Sequence, residues 1–215
     1  MKKVISFSLW GEEPKYCVGA IKNAELAKKH YPDWICRYHI GKSTPNKYIE
    51  ELDGLSNVET ILRPEDGDWS GMFWRFLDAS DLSVDVTISR DTDSRLNSRE
   101  AHAVTEWLSS GKKFHIMRDH PYHRTEILGG MWGVRSHYLG DMKNLINQYA
   151  KGDFWQVDQN FLKEVVYPIV KNNCMVHDEF FEKNPFPTKR KKGLFVGQAF
   201  NSDDTQLEPA HGKML

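Results

Sequence analysis

Asp91-Thr92-Asp93 is the stretch of this chain whose residue types and spacing are best suited to chemistry. Val84, Val86 and Ile88 alternate with Asp85, Thr87 and Ser89 just before it, the period of a half-buried strand. If the backbone stays extended beyond that strand, Asp91 and Asp93 project to the same side and aim at one point. Like charges that close repel, so the arrangement calls for a cation between or in front of them. Hard carboxylate oxygens suit Mg²⁺ or Mn²⁺, ions that complete their shells with water and phosphate oxygens. A strand end that holds a metal and, through it, a diphosphate is a nucleotide-sugar site. Asp-x-Asp also arises by chance, and a polar cluster after a strand is commonly only a turn. The surrounding elements have to decide between these readings.

Residues 4–9 read as a buried strand, with Trp10 to Pro14 as the loop leaving it. Over residues 16–30 the apolar spacing is helical, with Val18, Ile21, Ala24, Leu26 and Ala27 on one face. A second strand is expected at residues 34–40. Ser43 or Thr44 then caps a helix that has Pro45 in its first turn and ends near Leu52, and a third strand follows at residues 58–62. Strand, helix, strand, helix, strand predicts a parallel sheet with right-handed crossovers. Ligands of such sheets bind beyond the carboxyl ends of the strands. The loops after Leu9 and Leu62 and the acidic turn would therefore share one rim.

Downstream, residues 63–71 form a polar loop, and a short helix over residues 72–79 carries Phe73, Trp74, Arg75 and Phe76. Ser98 opens a helix that Gly111 stops. A strand at residues 114–117 leads into a His-rich loop, and residues 129–134 form a glycine-flanked strand, where glycine lets a ligand approach the backbone. Helices are expected at about residues 140–150 and 158–167. The tail carries a basic cluster at residues 189–192, a short apolar piece and a polar end.

A chain of 215 residues is the size of one large α/β domain. The 29 Lys and Arg against 30 Asp and Glu leave no basic field for nucleic acid or an anionic membrane surface. Three scattered cysteines (Cys17, Cys36, Cys174) make neither a disulfide framework nor a zinc site, and fit a cytoplasmic location. The apolar run after Met1-Lys2-Lys3 ends at Gly11-Glu12-Glu13 with no small-residue cleavage site, so it reads as a first strand rather than a signal peptide. No apolar run reaches membrane-spanning length.

The early parallel strands, the Asp91-Thr92-Asp93 turn near mid-chain, the segment Gly129-Gly130-Met131-Trp132-Gly133 and Asp158-Gln159-Asn160-Phe161-Leu162 opening a late helix together resemble a GT-A glycosyltransferase. More narrowly, the chain is similar to small single-domain glycosyltransferases of large algal viruses, such as a chlorovirus rhamnosyltransferase-like domain, and of phages. The resemblance implies one GT-A domain over residues 1–200, a mixed and mainly parallel sheet flanked by helices, and a polar tail over residues 201–215. It implies transfer of a sugar from a nucleoside-diphosphate donor, expected to be UDP-linked, to a hydroxyl of a glycan or other acceptor, with Mn²⁺ or Mg²⁺. Asp93 would bind the metal, and Asp91 the metal or the ribose. Ser8, Leu9 and Trp10, with Tyr16 behind them, would wrap the nucleobase. Arg75 and Arg90 would counter diphosphate charge, and Gly129, Gly130 and Trp132 would line the sugar and acceptor pocket. His177 is the candidate third metal ligand and His211 the reserve, though the fuller His-x-x-Gly-x-x-Lys-Pro-Trp pattern of some retaining families is missing. If the anomeric centre inverts, Asp158 at a helix start is placed as general base.

Other readings stay open. Arg90 could pair with Asp85 or Asp91, Trp132 could be core, and Asp158 could simply cap its helix. His115, His120 and His123 lack zinc-site spacing. The basic cluster could be solvated surface, or it could meet a diphosphate or an anionic acceptor. A phosphohydrolase would usually carry its Asp pair after the first strand. A nucleotidylyltransferase would usually show a glycine-rich basic loop there, where this chain has acidic Trp10-Gly11-Glu12-Glu13. A non-catalytic carbohydrate-binding domain would need no carboxylate pair beside arginines.

Overall fold

The computed structural model describes residues 1–149, 152 and 154–215. The first half follows the expected alternation: β1 (Lys3–Leu9), α1 (Pro14–His30), β2 (Ile35–Ile40), α2 (Asn46–Asp53), β3 (Val58–Leu62) and, after a 3-10 helix (Trp69–Ser80), β4 (Val86–Ser89). β1 pairs in parallel with β2 and β4, and β2 with β3. After α3 (Ser98–Ser109), β5 (Phe114–Arg118), β6 (Trp132–Arg135) and β7 (Cys174–Asp178) complete a seven-stranded sheet in the order β3-β2-β1-β4-β6-β5-β7. β6 is antiparallel to both neighbours, and β7 returns parallel to β5. The fold is thus one mainly parallel, mixed sheet flanked by helices.

Local chemistry explains where the elements depart from expectation. α1 begins at Pro14, whose fixed φ suits a first turn. Neither Ser43 nor Thr44 caps α2, which has Pro45 at its N-cap and no side-chain cap. The Ser43 hydroxyl donates to the Asp66 carbonyl instead, and Thr44 Oγ1 donates to the Leu9 carbonyl (3.4 Å), fastening loops at the carboxyl end of β1. α3 is held by a capping box between Asn97 and Glu100. The helix expected at about residues 140–150 is α4 (Met142–Gln148), and its expected end at residue 150 lies outside the described residues. The late helix is α5 (Val157–Phe161), a π turn (Leu162–Val166) and α6 (Tyr167–Val170). Pro168 lacks an N–H and crowds the preceding turn, and the Tyr167 N–H reaches back five residues to the Leu162 carbonyl.

The sheet has an apolar core on each side. Phe7, Tyr38 and Trp107 lie in one, with Phe7 and Tyr38 stacked at 4.7 Å. Phe76, Trp132 and Phe161 lie in the other. Where β1, β2 and β4 meet the 3-10 helix, however, the buried face is polar: Ser6, Ser8, Arg37, His39, Thr87 and Ser89. Hydrogen bonds position the helix there. Buried Asp78 accepts from Ser6 Oγ (2.6 Å) and Arg37 Nη1 (2.9 Å) and meets His39 Nε2 at 3.1 Å, while Ser8 Oγ accepts the Arg75 N–H (3.0 Å). Asp78→Ala leaves Arg37 and His39 without their buried partner and should cost ~3–5 kcal/mol in urea-melt stability. A loss below about 1 kcal/mol would mean that solvent or Asp81 replaces the carboxylate.

The polar tail is packed back on the domain. Asp204 accepts from Lys22 Nζ of α1 (2.6 Å) and Arg95 Nε (2.8 Å), and the Phe200 N–H donates to the Asp93 carbonyl (2.8 Å). Among the described residues no helix is long and apolar enough to cross a membrane.

Candidate functional site

The acidic turn leaves the carboxyl end of β4, and its backbone is clamped from both sides. Asn23, fully buried on α1, donates to the Thr92 (3.1 Å) and Ser94 (2.9 Å) carbonyls and accepts from the Leu96 N–H (3.0 Å). Gly19 lies against the Thr92 carbonyl so closely that no Cβ would fit. The Asp91 carboxylate lines a pocket at this end of the sheet, and the Asp93 carboxylate lies within range of its charge. Asp93 is half-buried, and burial together with the neighbouring Asp91 charge pushes its carboxyl up to about 6, against the pull of Lys15. Tyr16 stands beside the pair: burial, then the Asp93 charge, raises its hydroxyl above the ordinary range.

Arg75 gathers the rest of the site. It is 6% exposed, its Nη1 is paired with Asp91 Oδ1, and its Nη2 lies 3.0 Å from Asp158 Oδ2. The pairing joins residues far apart in sequence, from the 3-10 helix, the turn after β4 and the first turn of α5. Gly129 and Gly130 make it possible. A Cβ on Gly129 would sit 2.5 Å from both Arg75 Nη2 and Asp158 Oδ2, and one on Gly130 would collide with the Asp91 carboxylate. Arg75, Asp91, Gly129 and Asp158, with His123 and Trp155, line a pocket of about 160 Å³. Asp158 is not a helix cap. The N-cap of α5 is Gln156, in a left-handed conformation (φ 68°), and Asp158 Oδ1 accepts the N–H of Gln159 (2.9 Å). Burial raises the Asp158 carboxyl, and Arg75 opposes the rise.

Several expected contributors lie elsewhere. Arg90 is buried on the opposite face of β4, bonded to Glu100 Oε2 (2.7 Å) and to the Ser89 (2.7 Å) and Trp132 (3.2 Å) carbonyls, so no phosphate can reach its guanidinium. Trp132 is fully buried, stacked on Phe114 at 5.4 Å and edge-on to Phe76, and does not line a sugar pocket. Leu9 is core, 1% exposed. Trp10 is wedged against Gly67 and Gly71 and edge-on to Trp74 (5.9 Å), where it shapes the loop after β3. Ser8 is occupied by the Arg75 N–H. Of the nucleobase set, Tyr16 faces the acidic pair.

His177 is not a third ligand. It sits on β7 at the sheet edge, three strands from β4, and is buried against His115 Nε2 (2.8 Å) and Glu106 (3.5 Å). His115 also stacks on Trp107, so it joins no zinc site with His120 and His123. The reserve His211 pairs with Glu208 (2.7 Å) beside the rings of His120 and Tyr122. Among the described residues no cluster of three or more His, Cys, Asp or Glu forms a ready metal site. Two repelling carboxylates at a rim still suit Mg²⁺ or Mn²⁺, which take one or two protein carboxylates and leave the remaining positions to water and phosphate.

The residues that sequence reasoning missed are Asn23, His123 and Trp155. Asn23 was concealed by an otherwise apolar helix face. Trp155 stands 66% exposed just before α5, an exposure that the sequence does not announce.

No family model and no curated protein sequence matches the chain. Solved structures do. A glycosyltransferase involved in the glycosylation of the major capsid of PBCV-1 is similar over 100% of both chains, at 15% identity and a TM-score of 0.58. A mannosyltransferase from Pyrobaculum calidifontis, solved with GDP-Man and Mn²⁺, is similar over 83% of this chain and 55% of its own (12% identity, TM-score 0.52). A 4-diphosphocytidyl-2C-methyl-D-erythritol synthase from Anaerococcus prevotii matches over 88% and 93% (11% identity, TM-score 0.51). At these identities the likeness is one of fold, and the chain adopts the GT-A architecture.

Proposed function

We propose that the protein is a glycosyltransferase that takes a sugar from a nucleoside-diphosphate donor, UDP-linked, and transfers it to a hydroxyl of a glycan acceptor. One observation carries this reading: beside an acidic strand end a buried arginine bridges Asp91 and Asp158, in space that Gly129 and Gly130 leave for the pairing. Asp91 and Asp93 would hold Mn²⁺ or Mg²⁺. Such an ion, when bound, stabilises the negative charge of the departing diphosphate. Arg75 adds fixed positive charge at the pocket floor. Gly129 and Gly130 leave the space in which Arg75, Asp91 and Asp158 pair, and so hold these three groups together beside the donor. Asp158 takes the proton of the acceptor hydroxyl; its raised carboxyl is a better base than an exposed aspartate.

The likeness to the 4-diphosphocytidyl-2C-methyl-D-erythritol synthase makes a nucleotidylyltransferase the rival. The loop after β1 speaks against it, since Glu12 and Glu13 stand exposed where triphosphate chemistry wants basic groups. Product analysis separates the two: a transferase releases UDP from a UDP-sugar, whereas a nucleotidylyltransferase releases pyrophosphate from UTP or CTP.

The donor reading is tested by titrating UDP calorimetrically with Mn²⁺ and then with chelator. Binding should be weak without the ion, because the carboxylates face phosphate of the same sign. It should also depend on pH. Asp93 must lose its proton to serve the ion, so Mn²⁺-dependent affinity should fall about tenfold per pH unit below 6 and level off above it. Equal affinities with and without Mn²⁺ would remove the metal assignment, and a flat profile from pH 5 to 7 would remove Asp93 from it.

A further inference from the structure

Beside the donor pocket, and sharing His123 and Gly197 with it, lies a second pocket of about 220 Å³. Half of its lining residues carry rings. His120 lies 4.5 Å from Phe195 and 5.3 Å from His211, and Tyr122 stands edge-on to His211 at 4.9 Å. Tyr122 is 52% exposed, so its ring is presented rather than packed away. No lysine or arginine lines the pocket, and its charged group is a carboxylate, Glu208, held against His211.

The two inner histidines have defined roles. His123 Nδ1 accepts the Asp119 N–H (3.0 Å) and His120 Nδ1 accepts the Tyr122 N–H (3.1 Å), which leaves the proton of each neutral ring on Nε2. His120 Nε2 donates to the His211 carbonyl (3.2 Å). His123 Nε2–H is left as a donor at the wall between the two pockets. Burial, and then the neighbouring His120, pushes His123 down to about 3, and burial lowers His120 as well, so neither ring carries charge at neutral pH.

We infer that this ring-lined pocket is the acceptor subsite, and that it takes a neutral saccharide, stacked on Tyr122 and hydrogen-bonded by His123, with its reactive hydroxyl turned toward Asp158. The inference rests on the glycosyl-transfer reading of the neighbouring pocket. A ring-lined concavity with a few fixed polar groups is suited to the apolar faces and hydroxyl edges of a sugar. An anionic acceptor would meet the Glu208 carboxylate in the lining, while the neighbouring cations lie outside it, Arg124 over the Tyr122 ring at 6.0 Å and Arg190 paired with Asp119 and Glu179. Of the basic cluster, Lys189 and Lys191 line a different cavity, with Arg95 and Arg99, and Arg190 is held by Asp119 and Glu179.

The test uses the full chain, the UDP-sugar that it hydrolyses fastest, and a panel of p-nitrophenyl glycosides of neutral hexoses and deoxyhexoses as acceptor probes. Tyr122→Ala removes an exposed ring and should leave the melting temperature, UDP affinity and donor hydrolysis as in wild type. The KM for the best glycoside should rise about fivefold or more, with Tyr122→Phe close to wild type. An unchanged acceptor KM in Tyr122→Ala overturns the assignment. So does a wild-type enzyme that ignores every neutral glycoside but glycosylates glucose 6-phosphate. Absence of UDP binding and donor hydrolysis in the wild type would instead fail the donor reading, a distinguishable result.

Discussion

Asp93→Asn should abolish Mn²⁺-dependent UDP binding and sugar transfer while leaving the protein folded and no less stable. The amide has nearly the carboxylate's size but cannot supply a charged ligand. The turn should keep its shape, because its anchors are backbone groups: Asn23 on the Thr92 and Ser94 carbonyls, and the Phe200 N–H on the Asp93 carbonyl. In the wild type, burial and Asp91 push the Asp93 carboxyl up to about 6. The sign follows from linkage: between the ordinary carboxylate range and pH 6 the folded chain binds more protons than the unfolded one, so stability falls as pH rises through that window. Removing the carboxyl should therefore raise stability at pH 7, by roughly 1 kcal/mol after allowing for solvent screening. Thermal melts at pH 5 and 7 check this, since the gain should be largest at pH 7. A variant that unfolds, or that still binds UDP more tightly with Mn²⁺, would make Asp93 structural.

What could be read in advance was whatever the pattern of side chains along one strand or helix determines. The alternation through Val84, Val86 and Ile88 identified β4, and continuing its parity places Asp91 with Thr87 and Ser89 on the face of the 3-10 helix, where Arg75 lies. The same parity places Arg90 with Val86 and Ile88 on the other face, under Glu100 of α3. The strand's parity thus speaks against a phosphate role for Arg90, although the residue stands beside an acidic pair. Trp132 shares parity with Val134 and is core for the same reason. What could not be read was contact across the fold. Nothing local in Asp158 announces an arginine in the 3-10 helix, or that its cap position belongs to Gln156. A place near the carboxyl end of the chain is all that makes His177 a candidate ligand, and only the strand order shows that β7 closes the far edge. Gly129 and Gly130 were legible as a close approach, but the groups that approach them first are the protein's own Arg75, Asp91 and Asp158.

Asp158→Asn should lower transfer to acceptor by roughly 10²–10⁴-fold, because the amide cannot take a proton. Its stability cost should exceed the ~1 kcal/mol that exchange of a helix cap would suggest. The residue is an ion-pair partner rather than a cap, and the variant replaces a charged acceptor of the buried Arg75 by a neutral one. Arg75 keeps Asp91, and the Asn oxygen can still accept the Gln159 N–H, so the loss should stay at about 1–3 kcal/mol. UDP affinity with Mn²⁺ should change little, since Asp91 and Asp93 retain their charges and Asp91 retains its arginine. Three measurements on this one variant separate the roles: melting temperature, UDP affinity with Mn²⁺, and transfer rate set against donor hydrolysis. A base acts on the acceptor hydroxyl, so transfer should collapse further than hydrolysis by water, which needs less help in positioning. If both fall together and UDP affinity falls with them, Asp158 works by holding Arg75 in place and is a positioning residue. Near-wild-type transfer by the folded variant would remove it from the reaction altogether. Asp119 and Asp178 could not inherit the role, because both are fully buried and bound, Asp119 to Arg99 and Arg190 and Asp178 to Arg118. The chemistry would then have to proceed with retention, in which the departing diphosphate itself receives the acceptor proton.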